Sequence, residues 1–156
     1  MNALLENHGL VEALAPAADA GGRTSDWVNL KRGQACRVIC HVNQGAANTV
    51  TWTLAQATVV AGSDTKALTN VVPIYVNLDC AASDAFTAAT AAKSYTTDAG
   101  QKHKLVVFEL GPDALDYDAG FCCLSVSTGA SNASNITAAT FLIESRYGPV
   151  PSFIVD

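Results

Sequence analysis

The sequence predicts an all-β protein: a jelly-roll-like antiparallel β-sandwich with an N-terminal arm that contains a short helix and an extended C-terminal tail. Two observations predict the sandwich. Apolar and polar residues alternate in short segments, most clearly over residues 49–54, and turns rich in Gly, Asn and Asp separate these segments. Each segment has one apolar face and one face of Thr, Ser or charged residues, which is typical of sheets that pack on one side only.

The 156-residue chain divides into three parts: an arm and linker at residues 1–25, a sandwich body at residues 26–147 and a tail at residues 148–156. Leucine and valine recur in the arm with a mostly helical spacing that Gly9 interrupts, and residues 15–22 are typical of a flexible linker. A helix of two turns is marginal in water, so the arm is expected to dock on its own body or on a neighbour.

Within the body, residues 34–42 and 50–54 predict two strands joined by a turn of hairpin length. Residues 71–78 predict a further strand, in which Pro73 indicates an edge position or a bulge. The last strand is expected over residues 137–147. Residues 81–101 are compatible either with an Ala-rich helix or with a loop that runs into a short strand at residues 94–97.

Residues 104–129 predict two apolar strands that flank a short acidic turn. Gly111 and Pro112 end the first strand, and Asp113 is placed to cap one helical turn over residues 113–116. Oxygen ligands at the spacing of Asp113, Asp116 and Asp118 suit Ca²⁺, but the pattern of a calcium loop is missing. We therefore interpret this turn as a corner of the sandwich.

Charge argues against several classes of function. The net charge is −5 and the basic residues are scattered, which argues against nonspecific nucleic-acid binding because such binding requires clustered Lys and Arg to displace counterions. No apolar run is long enough to span a membrane, and no secretory signal is visible, so a cytosol is the expected site of synthesis. Charged residues make up only 15% of the chain, against about 25% in typical soluble domains. Such a surface is often partly covered by a partner, and the alternative is a small monomer whose surface consists of Ser, Thr and Asn.

No catalytic, cofactor-binding or metal-binding residue is predicted. The three histidines are not arranged for metal binding or nucleophilic catalysis and are expected at solvated or edge positions. The five cysteines are expected to be reduced, buried thiols, with Cys36 and Cys40 on one face of a strand. No phosphate-binding glycine pattern is present. The sequence therefore predicts a protein that is not an enzyme.

The chain ends combine apolar residues with a charge-poor body, which predicts that they are buried against something. Their own body is one candidate, and a partner reached by strand addition or tail exchange is the other. The predicted contact residues are Leu4, Leu5, Leu10, Val11, Leu14, Pro149, Pro151, Phe153, Ile154 and Val155.

Five segments together resemble small structural proteins of tailed bacteriophages: residues 26–30 (DWVNL), 48–56 (NTVTWTLAQ), 110–121 (LGPDALDYDAGF), 144–147 (ESRY) and 149–156 (PVPSFIVD). In that group the gene commonly lies near the major capsid gene, and the product is thought to decorate or cement the head. The resemblance implies a β-sandwich that forms oligomers on the outer capsid surface. The N-terminal arm and the cysteines lie outside it.

The predicted function is therefore that of a non-enzymatic virion protein that decorates a phage capsid and stabilises it. The expected partners are the major capsid protein and further copies of this chain, as a dimer or trimer, without nucleic acid or membrane. Assembly is expected in the bacterial cytoplasm and the final location on the capsid surface. The alternatives are a tail or head-completion component of a phage, and a carbohydrate-binding or hydrolytic β-sandwich.

Overall fold

Twelve strands, one short α-helix and one 3₁₀ helix make up the regular structure in a computed structural model that describes residues 4–111, 113–147 and 152–155. In chain order the elements are α1 (Leu4–Asn7), β1 (His8–Ala18), β2 (Arg23–Thr24), β3 (Val28–Asn29), β4 (Gly33–Gln44), β5 (Thr51–Ala57), β6 (Lys66–Ala67), β7 (Val72–Asn77), β8 (Thr87–Ala92), β9 (Ser94–Thr96), β10 (His103–Leu110), the 3₁₀ helix (Tyr117–Ala119), β11 (Cys123–Thr128) and β12 (Asn135–Ser145).

The strands form two antiparallel sheets that pack face to face. The first sheet has the order β1-β12-β4-β10-β7-β8. The second has the order β2-β11-β5-β6, and β3 and β9 also pair with β11 and β5. The prediction of an all-β sandwich is confirmed.

The hydrophobic core lies between the sheets because the strands alternate buried and outward-facing residues. In β4 every second residue is buried, from Cys36 through Val38 to Val42, and in β10 the inward residues include Val106 and Phe108. Across the core, β5 contributes the fully buried Trp52. Complete burial of one such side chain contributes about 1.5–3 kcal/mol to stability. The apolar face of each strand therefore points into the core.

The N-terminal segment is a strand over most of its length, and the helical prediction is wrong from His8 onward. Strand β1 pairs with β12 from His8 opposite Glu144 to Ala18 opposite Ile136. Gly9 and Pro16 weaken a helix, and pairing with β12 satisfies backbone groups that a helix of two turns would leave exposed. The expected arm and linker are therefore largely part of the first sheet.

The end of the predicted linker is also fixed in the sandwich. Asp19 is fully buried, and its backbone N–H donates to the carbonyl of Asn135 at 2.9 Å. Gly22 follows with a φ of +77°, and a Cβ there would lie 2.8 Å from the carbonyl oxygen of Thr128. Only glycine fits this close approach, which brings the chain into β2.

Residues 81–101 contain strands rather than a helix. β8 forms one edge of the first sheet, and β9 crosses to the second sheet and pairs with β5. Of the two interpretations left open by the sequence, the loop with a short strand near residues 94–97 is closer to the structure. Threonine and the β7 edge outweigh the helix propensity of alanine here.

Pro73 lies in the interior strand β7, between β10 and β8, and not at an edge. The pairing of β7 with β8 is irregular between Val72 and Ile74. Because proline has no N–H to donate, the ladder is interrupted at this position. The predicted bulge is confirmed and the predicted edge position is wrong.

The acidic turn connects the two sheets, since β10 belongs to the first and β11 to the second. It contains the 3₁₀ helix Tyr117–Ala119, which ends at Gly120 with a φ of +86°. Asp113 does not cap a helical turn, and the residue preceding the 3₁₀ helix is Asp116. The interpretation as a sandwich corner agrees with the strand order, whereas the capping role of Asp113 is wrong.

Candidate interaction surface at the chain ends

The N-terminal end presents leucine side chains to solvent. Helix α1 joins β1 directly, and Nδ1 of His8 donates a hydrogen bond to the carbonyl of Leu4 at 3.1 Å. Leu4 and Leu5 are 57% and 63% exposed, and Leu10 in β1 is 57% exposed. Exposed leucines at this density are typical of an interaction surface.

The C-terminal end docks on the same side of the molecule. The carbonyl of Phe153 accepts a hydrogen bond from the backbone N–H of Asn29 in β3 at 2.6 Å, and the Phe153 ring is buried in the core. Ile154 and Val155 remain more than half exposed. The anchor at Phe153 therefore fixes the position of the two exposed residues that follow it.

A shallow cleft of about 340 Å³ separates β1 from the C-terminal residues. Its lining comprises Gly9, Leu10, Val11, Glu12, Ser152, Phe153 and Ile154. We define the end patch as the five exposed apolar residues Leu4, Leu5, Leu10, Ile154 and Val155. Glu12 is the one charged residue that lines the cleft among the described residues, so the cleft is mainly apolar.

The predicted contact residues separate into distinct groups. All five members of the end patch are exposed, as contact with a partner requires. Leu14 and Phe153 are instead core residues, at 6% and 3% exposure, so their assignment as partner contacts is wrong. Val11 is partly buried against the core. Pro149 and Pro151 lie outside the described residues.

The acidic turn is not arranged as a cation site. Nζ of Lys66 lies 2.7 Å from Oδ2 of Asp116, and this hydrogen bond lowers the pKa of Asp116. The same ammonium lies 3.9 Å from the centre of the Phe121 ring. Among the described residues, no group of three His, Cys, Asp or Glu side chains is placed to hold a metal ion.

Tyr117 lies within this turn and is held in place by a hydrogen bond. Its hydroxyl donates to the carbonyl of Leu30 at 3.3 Å, and burial raises its pKa to about 12. A tyrosine in this state is protonated at neutral pH. It therefore acts as a structural hydrogen-bond donor.

The cysteines match the prediction of buried thiols with one exception. Cys36, Cys40, Cys122 and Cys123 are buried, whereas Cys80 is partly exposed. Burial raises the pKa of Cys36 and that of Cys40 well above the usual thiol value. Since the thiolate is the reactive form, these two side chains serve as small hydrophobic residues.

The histidines occupy the outer surface. His41 and His103 are exposed and stack with their ring centroids 6.5 Å apart on neighbouring strands. His8 is partly exposed at the start of β1. The prediction of solvated or edge histidines is confirmed.

A second apolar surface was not predicted, because each strand was expected to have one polar face. The outer face of the first sheet carries Ile39, Leu105, Val107 and Tyr75, and Tyr75 is 38% exposed. The available signal was the unbroken run of apolar residues at 105–108, which places apolar side chains on both faces of β10.

A cleft of about 420 Å³ opens between β4, β7 and the end of β10. Its lining includes Arg37, Asn70, Val71, Pro73 and Glu109 and contains no aromatic side chain among the described residues. Stacking platforms for a sugar ring are therefore missing from this cleft.

None of the described helices is long and apolar enough to cross a membrane.

Comparison with known structures identifies a similar sandwich. The fold is shared with a prophage-derived protein. The SPBc2 prophage-derived protein YomS superimposes with a TM-score of 0.50 over 88% of this chain and 94% of that chain, at 6% sequence identity. At this identity the similarity concerns the fold alone. No protein-family model and no curated protein sequence matches the chain.

Two further similar structures have lower scores. One is described by the words "CBM4 structure and function", with a TM-score of 0.35, 11% identity and coverage of 88% of this chain and 70% of that chain. The other is a Bacteroides thetaiotaomicron protein provisionally described as sugar-binding, with a TM-score of 0.33, 14% identity and coverage of 79% and 65%. Scores in this range carry no argument about function.

Proposed function

We propose that this chain is a non-enzymatic structural protein of a tailed phage that binds the outer capsid surface and stabilises the shell. The observation that carries the proposal is the end patch, in which Leu4, Leu5, Leu10, Ile154 and Val155 are each 57–63% exposed. Binding a partner there would remove these apolar side chains from water, which is favourable for a small sandwich with few charges. The phage origin of a protein with the same fold supports the proposal, as does the resemblance of the five sequence segments.

Stabilisation of a shell follows from mass action. A protein that binds the assembled shell and not its free subunits stabilises the shell by its binding free energy. Many copies, each with a modest interface, add their contributions. The partners in this proposal are the major capsid protein and further copies of this chain, and the location is the virion surface.

Substitution of exposed residues is a better test of capsid binding than deletion of the C-terminal residues. Deletion of residues 149–156 would remove Phe153 from the core and so destabilise the body. Substitution of exposed residues avoids this problem. The doubly substituted variant Leu5→Lys/Ile154→Lys places charge on both ends, and Val71→Lys is a matched control because Val71 is 58% exposed and lies outside the end patch.

The test is co-sedimentation with emptied, expanded phage capsids. We expect the wild-type protein and Val71→Lys to sediment with the capsids and to raise the temperature at which they break. Leu5→Lys/Ile154→Lys should remain in the supernatant while keeping its circular dichroism spectrum. If wild-type protein fails to bind any tested capsid, the proposed function is wrong. If all variants bind equally, the end patch is not the contact.

A further inference from the structure

The outer face of the first sheet is apolar in its centre. Register aligns the side chains in rows across the strands: Thr140, Ile39, Val107 and Tyr75 form one row. Ala138, His41 and Leu105 form the next row. The row on the other side contains Leu10, Leu142, Arg37 and Glu109, so the end patch borders this face at Leu10. We define the sheet patch as Ile39, Tyr75, Leu105, Val107, Ala138 and Leu142.

The inward neighbours of these residues show that the patch faces solvent. Val38, Val106 and Phe108 are fully buried between the sheets, whereas Ile39 and Val107 point the opposite way and are partly exposed. Neighbours on a flat sheet shade one another, so intermediate exposure is what an uncovered apolar face shows. An antiparallel sheet with one face in solvent usually carries polar residues on that face.

We infer that the sheet patch is the interface of a twofold dimer of this chain. The argument is charge complementarity. Nε of Arg37 lies 3.3 Å from Oε1 of Glu109 on the neighbouring strand, at the border of the patch, and both side chains are about 40% exposed. A twofold axis parallel to the strands and between β4 and β10 places β4 of one subunit over β10 of the other.

This axis makes the face complementary to itself. Arg37 then faces the partner's Glu109, and Ile39 faces the partner's Val107, because position along the strands is kept while left and right are exchanged. Each Arg37–Glu109 pair gains a second pair across the interface. If β4 and β10 carried charges of the same sign on this face, the two subunits would instead repel each other.

The available area fits a stable dimer. This axis exchanges β4 with β10, β12 with β7 and β1 with β8, so all six strands of the first sheet lie in the interface. Six strands span about 29 Å at their usual spacing, and the eight residues of β10 extend about 27 Å. The flat face is therefore about 780 Å², close to the roughly 800 Å² that each partner buries in a stable interface. Two sheets packed in this way lie about 10 Å apart, as in a sandwich interior.

This inference names a surface for the self-association included in the proposed function, and its test contains no capsid, so each can fail while the other holds. The measurement is the molar mass in sedimentation velocity over a range of protein concentrations. Val107→Lys places an ammonium at the centre of the face. Thr53→Lys is the matched control, because Thr53 is a partly exposed residue in the middle of β5, a central strand of the second sheet.

We expect wild-type protein and Thr53→Lys to reach twice the mass of one chain, and Val107→Lys to raise the dimer dissociation constant at least tenfold. Arg37→Glu should also weaken the dimer by placing like charges together, and Arg37→Glu/Glu109→Arg should restore it. This pair of variants decides the question even if Val107→Lys does not fold. A monomer at every concentration, a trimer, or a dimer unaffected by all of these changes would overturn the inference.

Discussion

Nζ of Lys104 lies 2.7 Å from Oδ1 of Asp98, although the Lys104 side chain is completely buried. The ammonium also donates to Oε1 of Gln44 and to the carbonyl of Asp98, each at 2.9 Å. All three of its protons thus have acceptors. Thr97 extends the network, because its hydroxyl donates to Gln44 and accepts from the backbone N–H of Val50. The network ties the segment before β10 to the ends of β4 and β5.

Removal of the carboxylate is expected to be more harmful than removal of the ammonium. Asp98→Ala leaves a buried charge without its counterion and should lower the free energy of unfolding by about 3–5 kcal/mol. Lys104→Met removes the charge itself, leaves the half-exposed Asp98 carboxylate in contact with water and leaves Gln44 with its hydrogen bond from Thr97, at a cost of about 1–3 kcal/mol. Urea unfolding of the two variants checks the order. Equal losses would contradict the view that the buried ammonium depends on Asp98.

The same pair predicts sensitivity to acid. The hydrogen bond from Lys104 lowers the pKa of Asp98. An acid with a lowered pKa binds fewer protons in the folded state, so its contribution is complete above the ordinary value of about 3.9 and is lost as the pH falls through the lowered pKa. Urea midpoints should therefore fall below about pH 4 in the wild type and fall less in Asp98→Asn. An identical acid response in both proteins would refute the prediction.

Asp19 predicts a pH effect of the opposite sign. Its side chain is buried, Oδ1 accepts from the hydroxyl of Thr128 at 2.7 Å, and Oδ2 has no hydrogen-bond partner among the described residues. Burial raises the pKa of Asp19. A carboxyl group whose pKa is raised by folding binds more protons in the folded state than in the unfolded state. Its contribution to stability therefore falls as the pH rises from the ordinary pKa through the raised pKa. Above about pH 4, the melting temperature of the wild type should fall as the pH rises, and that of Asp19→Asn should fall less.

Thiol labelling should follow burial. We expect iodoacetamide to modify Cys80 first in the native protein, because the other four cysteines are buried. Mass spectrometry should show one adduct on the native chain and five after unfolding, in agreement with the cysteine count. Cys80→Ser should show none in the native state. Rapid labelling of Cys122 or Cys123 in that variant would mean that the corner beside them opens.

Phe153 is expected to stabilise the sandwich from the far end of the chain. Phe153→Ala removes a ring that is 3% exposed and should cost about 3–5 kcal/mol. Val155→Ala is the control, because Val155 is 58% exposed and its loss should change the free energy of unfolding by less than about 0.5 kcal/mol. Chemical denaturation measures both. Similar small effects would show that the C-terminal residues do not support the core in solution.

The strands that could be predicted are those whose pattern is local. Residues 50–54 alternate strictly and residues 36–42 alternate except at Ile39, and the structure places them in β4 and at the start of β5. β1 was missed because its structure depends on a partner far away in the sequence, with His8 opposite Glu144. The spacing of Leu10, Val11 and Leu14 is compatible with a helix face, and only the pairing with β12 decides against it.

The same limit applies to the candidate surfaces. The apolar character of both chain ends was visible in the sequence, but which of these residues would be buried was not. Phe153 is buried because its carbonyl meets the N–H of Asn29, a contact between residues more than a hundred positions apart. The sheet patch depends likewise on three strands lying side by side, which brings Ile39, Val107 and Tyr75 into one row.

The pairing of β1 with β12 has a consequence for synthesis in the cell. The ribosome releases β1 first, whereas β12 emerges only after the intervening chain has been translated. At about 5–20 residues per second, β1 waits on the order of ten seconds for its neighbour. During that interval its backbone groups and leucines are open to other nascent chains. Pro16 and the irregular pairing around Leu14 make β1 a poor template for such contacts, which protects the unfinished molecule from aggregation.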